Sequence, residues 1–363
     1  MTQLRIPGPT PLPDKVIKAM TKPMINHRGI TFIKIINDVT EKIKRVYQTK
    51  NDVFLLTGSG TGGLEAAIVN VISPGDKVLS VAGGAFADRF ANIARRFGAD
   101  VTVLAYDWGK AADPDAVRQE LKQNPSIKAV LVTHNETSTG VTNPLEEISK
   151  AVKEFDKLLI VDAVSSMSCL NIPTDAWHCD IVVSGSQKGW MAPPGMAMLS
   201  VSEAAWKAHA KATAPRFYWD FTEAKNYLAK GQTPWTPAVS TVYALDVSLD
   251  MLLEEGLSNV FARHALIGKT TREGIKSLDL TLFPDEKFAS NTVTAVAASG
   301  GLDPKLVVKL MRDEHGIELA GGQTKLDGKI FRIGHLGWVK VEEIKEVIAA
   351  LKKVLPKAGF RRG

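Results

Sequence analysis

Two residues near the middle of the chain carry the clearest chemical signal. Lys188 sits in "DIVVSGSQKGW", in a Gly- and Ser-rich turn just past an apolar run, and Asp162 ends the run in "LLIVDAVSS". A carboxylate at the tip of so apolar a segment needs a cationic or proton-donating partner. Taken singly, each has an ordinary reading: Asp162 as a helix cap or ion-pair member, Lys188 as a solvated surface amine. A third stretch changes the balance. "TGSGTGG", Thr57 to Gly63, follows "VFLL" and precedes "LEAAIVNVI", so glycines and hydroxyls lead into a helix N-terminus. Its backbone N–H groups and dipole suit a phosphate monoester. A lysine can condense with an aldehyde, and a carboxylate can keep a pyridine nitrogen protonated. Phosphate, pyridine nitrogen and aldehyde are the three handles of pyridoxal phosphate.

The same loop contains a literal G-x-G-x-x-G at Gly58, Gly60 and Gly63, which points to NAD. A dinucleotide site also wants an acidic residue at the end of the second strand, about 20 residues on, to hold the ribose. That end here is Ala82, Gly83, Gly84, Ala85, Phe86, with Asp76 before the strand and Asp88 well after it. A Walker loop fails too, because "GSGTGGLE" has no Lys-Ser/Thr pair. Phe86 suits an aromatic plate over a cofactor ring, with a core phenylalanine as the equal alternative.

Strands must place these groups. "DVFLLT", "KVLSVA", "VTVLAY", "KAVLVTH", "LLIVDAV", "DIVVSGS" and "GMAMLSV" alternate with helix-length segments such as "FADRFANIARRFG", "DPDAVRQELKQN" and "PLEEISKAVKEFD". Such alternation predicts an α/β fold with a mostly parallel seven-stranded sheet covered on both faces, and ligands at the carboxyl ends of its strands. After the long helix of "TPAVSTVYALDVSLDMLLEEG" the pattern becomes "LTLF", "NTVTAVAA", "PKLVVKLMRDEHG", "KIFRIGH" and "VEEIKEVIAALKKVL", a smaller α+β domain. The expected layout is an extended N-terminal arm over residues 1–22, a large domain over 23–250 and a small domain over 251–363.

Composition bounds the rest. The 363 residues are 45% hydrophobic and 23% charged, the balance of an ordinary globular chain. Neither a membrane span nor the apolar core of a secretory signal is legible, so a soluble cytoplasmic protein is the default. The net charge of +6 is scattered, apart from "LKKVLPKAGFRRG", and gives no nucleic-acid footprint. Two cysteines, Cys169 and Cys179, offer no disulfide framework. Asp175, His178, Cys179 and Asp180 in "DAWHCD" match no standard zinc spacing, and no metal is expected.

"IPGPTPLPDKVIKAM", "MINHRG", "TGSGTGGLEAA", "VTHNETSTGVTNPLEEI", "LLIVDAVSSM", "VVSGSQKGWMAPPGMAM", "QTPWTPAVSTVYAL" and "IFRIGHLG" run in order across almost the whole chain. Together they resemble the class V aminotransferases of fold type I, within them the alanine/serine–glyoxylate (serine–pyruvate) branch. The resemblance implies a homodimer with active sites at the subunit interface, and ping-pong transfer of an amino group from alanine or serine to glyoxylate or pyruvate. It makes Lys188 the lysine that condenses with pyridoxal phosphate and then moves the proton, and Asp162 the partner of the ring nitrogen. It assigns the phosphate to Ser59, Gly60, Thr61 and Gln187, the ring hydroxyl side to Thr137 and ring stacking to Phe86. Thr233 and Thr236 would reach the neighbouring subunit's cofactor, and Arg332 would bind the substrate carboxylate as a bidentate fork. Familiar members often carry Trp at Phe86 and His at Thr61.

Two other enzyme readings share the fold. An aspartate-type donor would want a second cation, for which His27, Arg28 and His335 are candidates, with structural hydrogen bonding as their commoner role. A cysteine desulfurase-like lyase would want a cysteine on a mobile loop, whereas Cys169 and Cys179 both lie between Asp162 and Lys188 and "ELAGGQTKLDGK" has none.

Overall fold

Seven apolar runs form one sheet, made of β1 (Asp52–Thr57), β2 (Lys77–Ala82), β3 (Asp100–Ala105), β4 (Ile127–Thr133), β5 (Leu158–Asp162), β6 (Ile181–Gly185) and β7 (Met196–Val201). The computed structural model describes residues 2–361. Strand order is β1-β7-β6-β5-β4-β2-β3. Only β7 runs against its neighbours; β6, β5, β4, β2 and β3 pair in parallel. Strands β5 and β6 are buried almost end to end, as continuous apolar runs in a doubly covered sheet must be, whereas the edge strand β3 is largely exposed.

Helices cover both faces. Gly60–Val71, Ala85–Arg96 and Phe221–Leu228 pack one core cluster, while Ile30–Tyr47, Pro114–Gln123, Leu145–Lys153 and Val239–Glu255 pack the other. Because the parallel strands share one direction, the segments after β1, β2, β4, β5 and β6 all emerge at one edge.

Gly256, at φ 82°, breaks the chain between Val239–Glu255 and the next helix, Leu257–Ser277. Beyond it a second sheet forms from β8 (Val293–Ala297), β9 (Ala320–Gly321) and β10 (Ile330–Gly334), all antiparallel in the order β8-β10-β9. Pro304–His315 and Val341–Val354 help to bury it. "LTLF" does not become a strand: Leu282 makes a single bridge to Val296, and Pro284, which lacks an N–H, ends the pairing.

The N-terminal segment is extended at first. Gln3–Leu4 pairs in parallel with Ile317–Glu318, and a short helix follows at Asp14–Met20. Between them, Thr10 N–H donates to the Gln187 carbonyl at 3.1 Å and Gly334 N–H to the Arg5 carbonyl at 2.6 Å. This segment therefore spans from the Lys188 turn to β10.

Candidate active site

A cavity of about 160 Å³ opens at the carboxyl edge of the sheet. Eight of the eleven expected site residues line it: Ser59, Gly60, Thr61, Phe86, Thr137, Asp162, Gln187 and Lys188. Its size lies below the roughly 300 Å³ of pockets for drug-sized ligands.

The floor is the turn from β1 into the helix Gly60–Val71. Ser59 occupies the N-cap position without spending its hydroxyl on a cap bond. The first N–H groups of the helix lack intrahelical partners by geometry and carry the positive end of its dipole. A side chain on Gly60 would meet Val164 Cγ2 at 2.6 Å, so close packing against the segment after β5 demands glycine there. Gln187 Oε1 is buried with no hydrogen-bond partner. The free backbone donors suit a small anion bearing several acceptor oxygens, and Gln187 would join them only through its amide NH2.

Asp162 ends β5, is 5% exposed, and accepts from Val164 N–H at 3.0 Å. Burial pushes its pKa up to about 6, against the pull of that hydrogen bond. Lys188, partly buried in the turn after β6, donates from Nζ to the Pro7 carbonyl at 2.5 Å. Burial pushes its pKa down to about 8; the Asp162 charge opposes this, and the Arg332 and Arg89 cations add to it. An amine near neutrality and a carboxylate thus face one small cavity, the setting in which proton transfer at neutral pH becomes feasible.

Arg332 reaches the same region from β10. Its Nη1 donates to the Thr137 carbonyl at 2.9 Å and its Nε to the Gly321 carbonyl at 2.9 Å, which fixes the fork and leaves Nη2 for a ligand. Thr233 and Thr236 do not line the cavity. Thr233 donates to the Trp235 carbonyl at 2.7 Å, and Thr236 is exposed. Arg28 is spent elsewhere, donating to Gln232 Oε1 and to the Thr233 and Pro234 carbonyls over the Tyr227 ring. His27 also lies outside the cavity lining, and His335 is buried, with Nε2 against Thr294 Oγ1 at 2.9 Å. In "DAWHCD", Asp175 accepts from Thr49, Lys50 and Asn51, while Asp180 pairs with Lys153.

Residues not singled out from sequence complete the walls. Asn135 Nδ2 donates to Ser165 Oγ at 2.8 Å, and both line the cavity. Arg89, one helical turn beyond Phe86, places its guanidinium 4.8 Å from that ring. Its only legible signal was that i, i+3 spacing. The same arginine lines a wider cleft of about 740 Å³ outside the cavity, together with Arg96, Trp108 and Lys325.

Residues 4–331 match the family described as aminotransferase class-V. An uncharacterized aminotransferase of Methanocaldococcus jannaschii is 44% identical, covering 98% of this chain and 93% of the relative. The serine–glyoxylate aminotransferase of Methylorubrum extorquens is 37% identical over 92% of this chain and 86% of its own. Among solved structures, the alanine–glyoxylate aminotransferase of Nostoc sp. superposes with a TM-score of 0.94 at 31% identity, over 97% of this chain and 95% of that one. The cavity, with its lysine, carboxylate and glycine-rich turn, therefore sits in a chain that belongs to the class-V aminotransferases and is a transaminase.

Proposed function

We propose that the protein moves an amino group from a small amino acid, alanine or serine, to a 2-oxo acid, glyoxylate or pyruvate, with pyridoxal phosphate in the 160 Å³ cavity. The observation that carries this reading is one small cavity lined by a lysine of lowered pKa, a buried carboxylate and a helix N-terminus. Bound there, the cofactor supplies an aldehyde that takes up the amino group and a ring that accepts electrons from Cα.

The chain's own groups divide the remaining work. Ser59, the N–H groups of Gly60 and Thr61, and Gln187 would hold the phosphate, with Phe86 and Thr137 on the ring. Asp162 supplies the negative charge that a protonated ring nitrogen requires. Lys188 Nζ, close to neutrality, takes the proton from the substrate Cα. Arg332 grips the substrate carboxylate and fixes the orientation of the bond to be broken. Residues 251–363 are the small domain that delivers it.

Thr233 and Thr236 belong to a neighbouring subunit's site in a homodimer. In support, Trp235, between them in sequence, stacks on exposed Phe217, 75% accessible, with Tyr218 stacked on the same indole. An aromatic group of this kind is typical of a covered interface. No helix among the described residues is long and apolar enough to cross a membrane.

Arg89 favours a second reading, an aspartate-type donor. It makes no ion pair among the described residues and stands where the cavity meets the outer cleft, so its cation is free for a side-chain carboxylate. The separating experiment is an absorption spectrum of the protein loaded with pyridoxal phosphate, recorded while alanine, serine, aspartate and glutamate are added singly. Loss of the visible band with alanine or serine, and its return with glyoxylate or pyruvate, is the expected result; Lys188→Ala should show neither the band nor turnover. Failure to acquire a visible band after loading overturns the cofactor reading, and sulfide release from cysteine would point to a lyase.

A further inference from the structure

Glu136 is a buried carboxylic side chain behind the site wall, between the cavity-lining Asn135 and Thr137, and the reaction above gives it no task. It is 2% exposed and makes no ion pair among the described residues, yet four donors converge on it. Oε2 accepts from Phe86 N–H at 3.1 Å and Ala87 N–H at 3.0 Å. Oε1 accepts from Ser138 N–H at 3.1 Å and Ser138 Oγ–H at 2.5 Å. Ser138 Oγ in turn accepts from Ala85 N–H at 3.0 Å. Three of the four contacts come from backbone N–H groups, which can only donate and so favour the carboxylate form, while burial pushes its pKa upward.

Ala85, Phe86 and Ala87 open the helix Ala85–Arg96, whose N-cap is Gly84, a residue with no side chain to cap with. Three orphan donors at the positive end of the helix dipole are therefore satisfied from β4's far side, some fifty residues along the chain. Gly84 is what lets this happen. A Cβ there would lie 2.3 Å from Glu136 Cγ and Cδ and 2.7 Å from Ser138 Oγ. The helix so anchored carries Phe86 and Arg89, while Thr137, between the two capping residues, lines the cavity and gives its carbonyl to Arg332.

We propose that Glu136, with Ser138, is a positioning residue that docks the amino end of the Ala85–Arg96 helix and so sets the Phe86 ring against the cofactor. The proposal rests on pyridoxal phosphate occupying the cavity. Its anchor is also measurable without the cofactor.

Glu136→Gln tests it sharply. Whichever way the amide turns, its NH2 must face either the Phe86 and Ala87 N–H groups or the two donors of Ser138. Gly84→Ala drives the carboxylate away while leaving its charge. In the cofactor-free protein, both variants should speed amide exchange at residues 85–87 at least tenfold with the rest of the sheet still protected. Titration with pyridoxal phosphate should then show Kd raised about tenfold, the scale of one charge-assisted hydrogen bond. That rise should largely vanish when Glu136→Gln is combined with Phe86→Ala, because the effect runs through the ring. Should Glu136→Gln not fold, Ser138→Ala, which removes the Ala85 contact, takes its place. Unchanged exchange at residues 85–87 overturns the anchor even if the protein binds no cofactor. An undiminished rise in Kd on the Phe86→Ala background overturns the route through Phe86.

Discussion

Gly8→Ala should separate stability from catalysis. Gly8 has φ +115°, and a Cβ built there would lie 2.6 Å from both Cδ and Nζ of Lys188 and 2.8 Å from Cε. Ordinary contacts between such atoms are about 3.5–4.0 Å, so the end of the lysine must retreat by about 1 Å. The atoms in the way belong to a flexible side chain, and moving them is cheap in stability. The main folding cost is then an alanine at positive φ, roughly 1–2 kcal/mol. Catalysis pays more heavily, because Lys188 Nζ leaves the place where the Pro7 carbonyl holds it at 2.5 Å. A misplacement of about 1 Å can cost on the order of 100-fold in rate, or about 2.7 kcal/mol of barrier. The assays are chemical denaturation, uptake of pyridoxal phosphate by absorbance, and single-turnover deamination of the donor amino acid. A folded Gly8→Ala protein that binds cofactor and turns over at the parent rate would refute the role given to this contact.

Arg332→Gln should raise KM for donor and acceptor alike by about 100-fold, the worth of a charge-assisted carboxylate contact. Because the Arg332 cation helps to lower the Lys188 pKa to about 8, its loss should also move the alkaline rise of single-turnover rate to higher pH; the neutral amine is the active form, so the parent rate climbs through pH 8 and then levels. A pH profile that does not move separates carboxylate binding from amine tuning. Arg89→Gln should cut kcat/KM for aspartate about tenfold more than for alanine, measured side by side, if the free cation reads a second carboxylate. Equal losses would remove Arg89 from donor choice.

The seven strands were readable because a doubly covered sheet demands uninterrupted apolar runs, and the residues just past them had to face its carboxyl edge. That rule brings Asp162, Lys188 and the Ser59–Thr61 turn to one edge; their roles needed all three together and the family resemblance. The helix Ile30–Tyr47 is equally legible, with Phe32, Ile36, Val39, Ile43 and Val46 on one face. Leu257–Ser277 was harder. Its buried stripe mixes Val260, Ile267 and Ile275 with His264, Gly268 and Thr271, so hydropathy alone marks it weakly. "LTLF" shows the converse: β-prone residues form a strand only where a neighbour offers a full ladder, and Pro284 withholds one.

What stayed hidden depends on contacts between distant segments. In sequence Glu136 is one polar residue within "THNETSTG", and its use as a cap for residues 85–87 exists only once β2 and β4 are paired. The N-terminal arm poses the same problem on a larger scale. Thr10 bonds to the backbone of Gln187 and Lys188 at 3.1 and 3.0 Å, while Arg5 exchanges backbone bonds with Glu318 and Gly334 and pairs with Glu343 at 2.5 Å. Arg332 lies two residues before Gly334 on the same strand. The spacing between the Lys188 amine and the Arg332 fork is therefore set by a third segment that carries neither group. A shift of the arm should disturb both at once, whereas a change in the Ser59–Thr61 turn should disturb cofactor affinity alone. Kinetic variants should accordingly fall into two sets, divided by which segment they touch and not by their distance from Lys188.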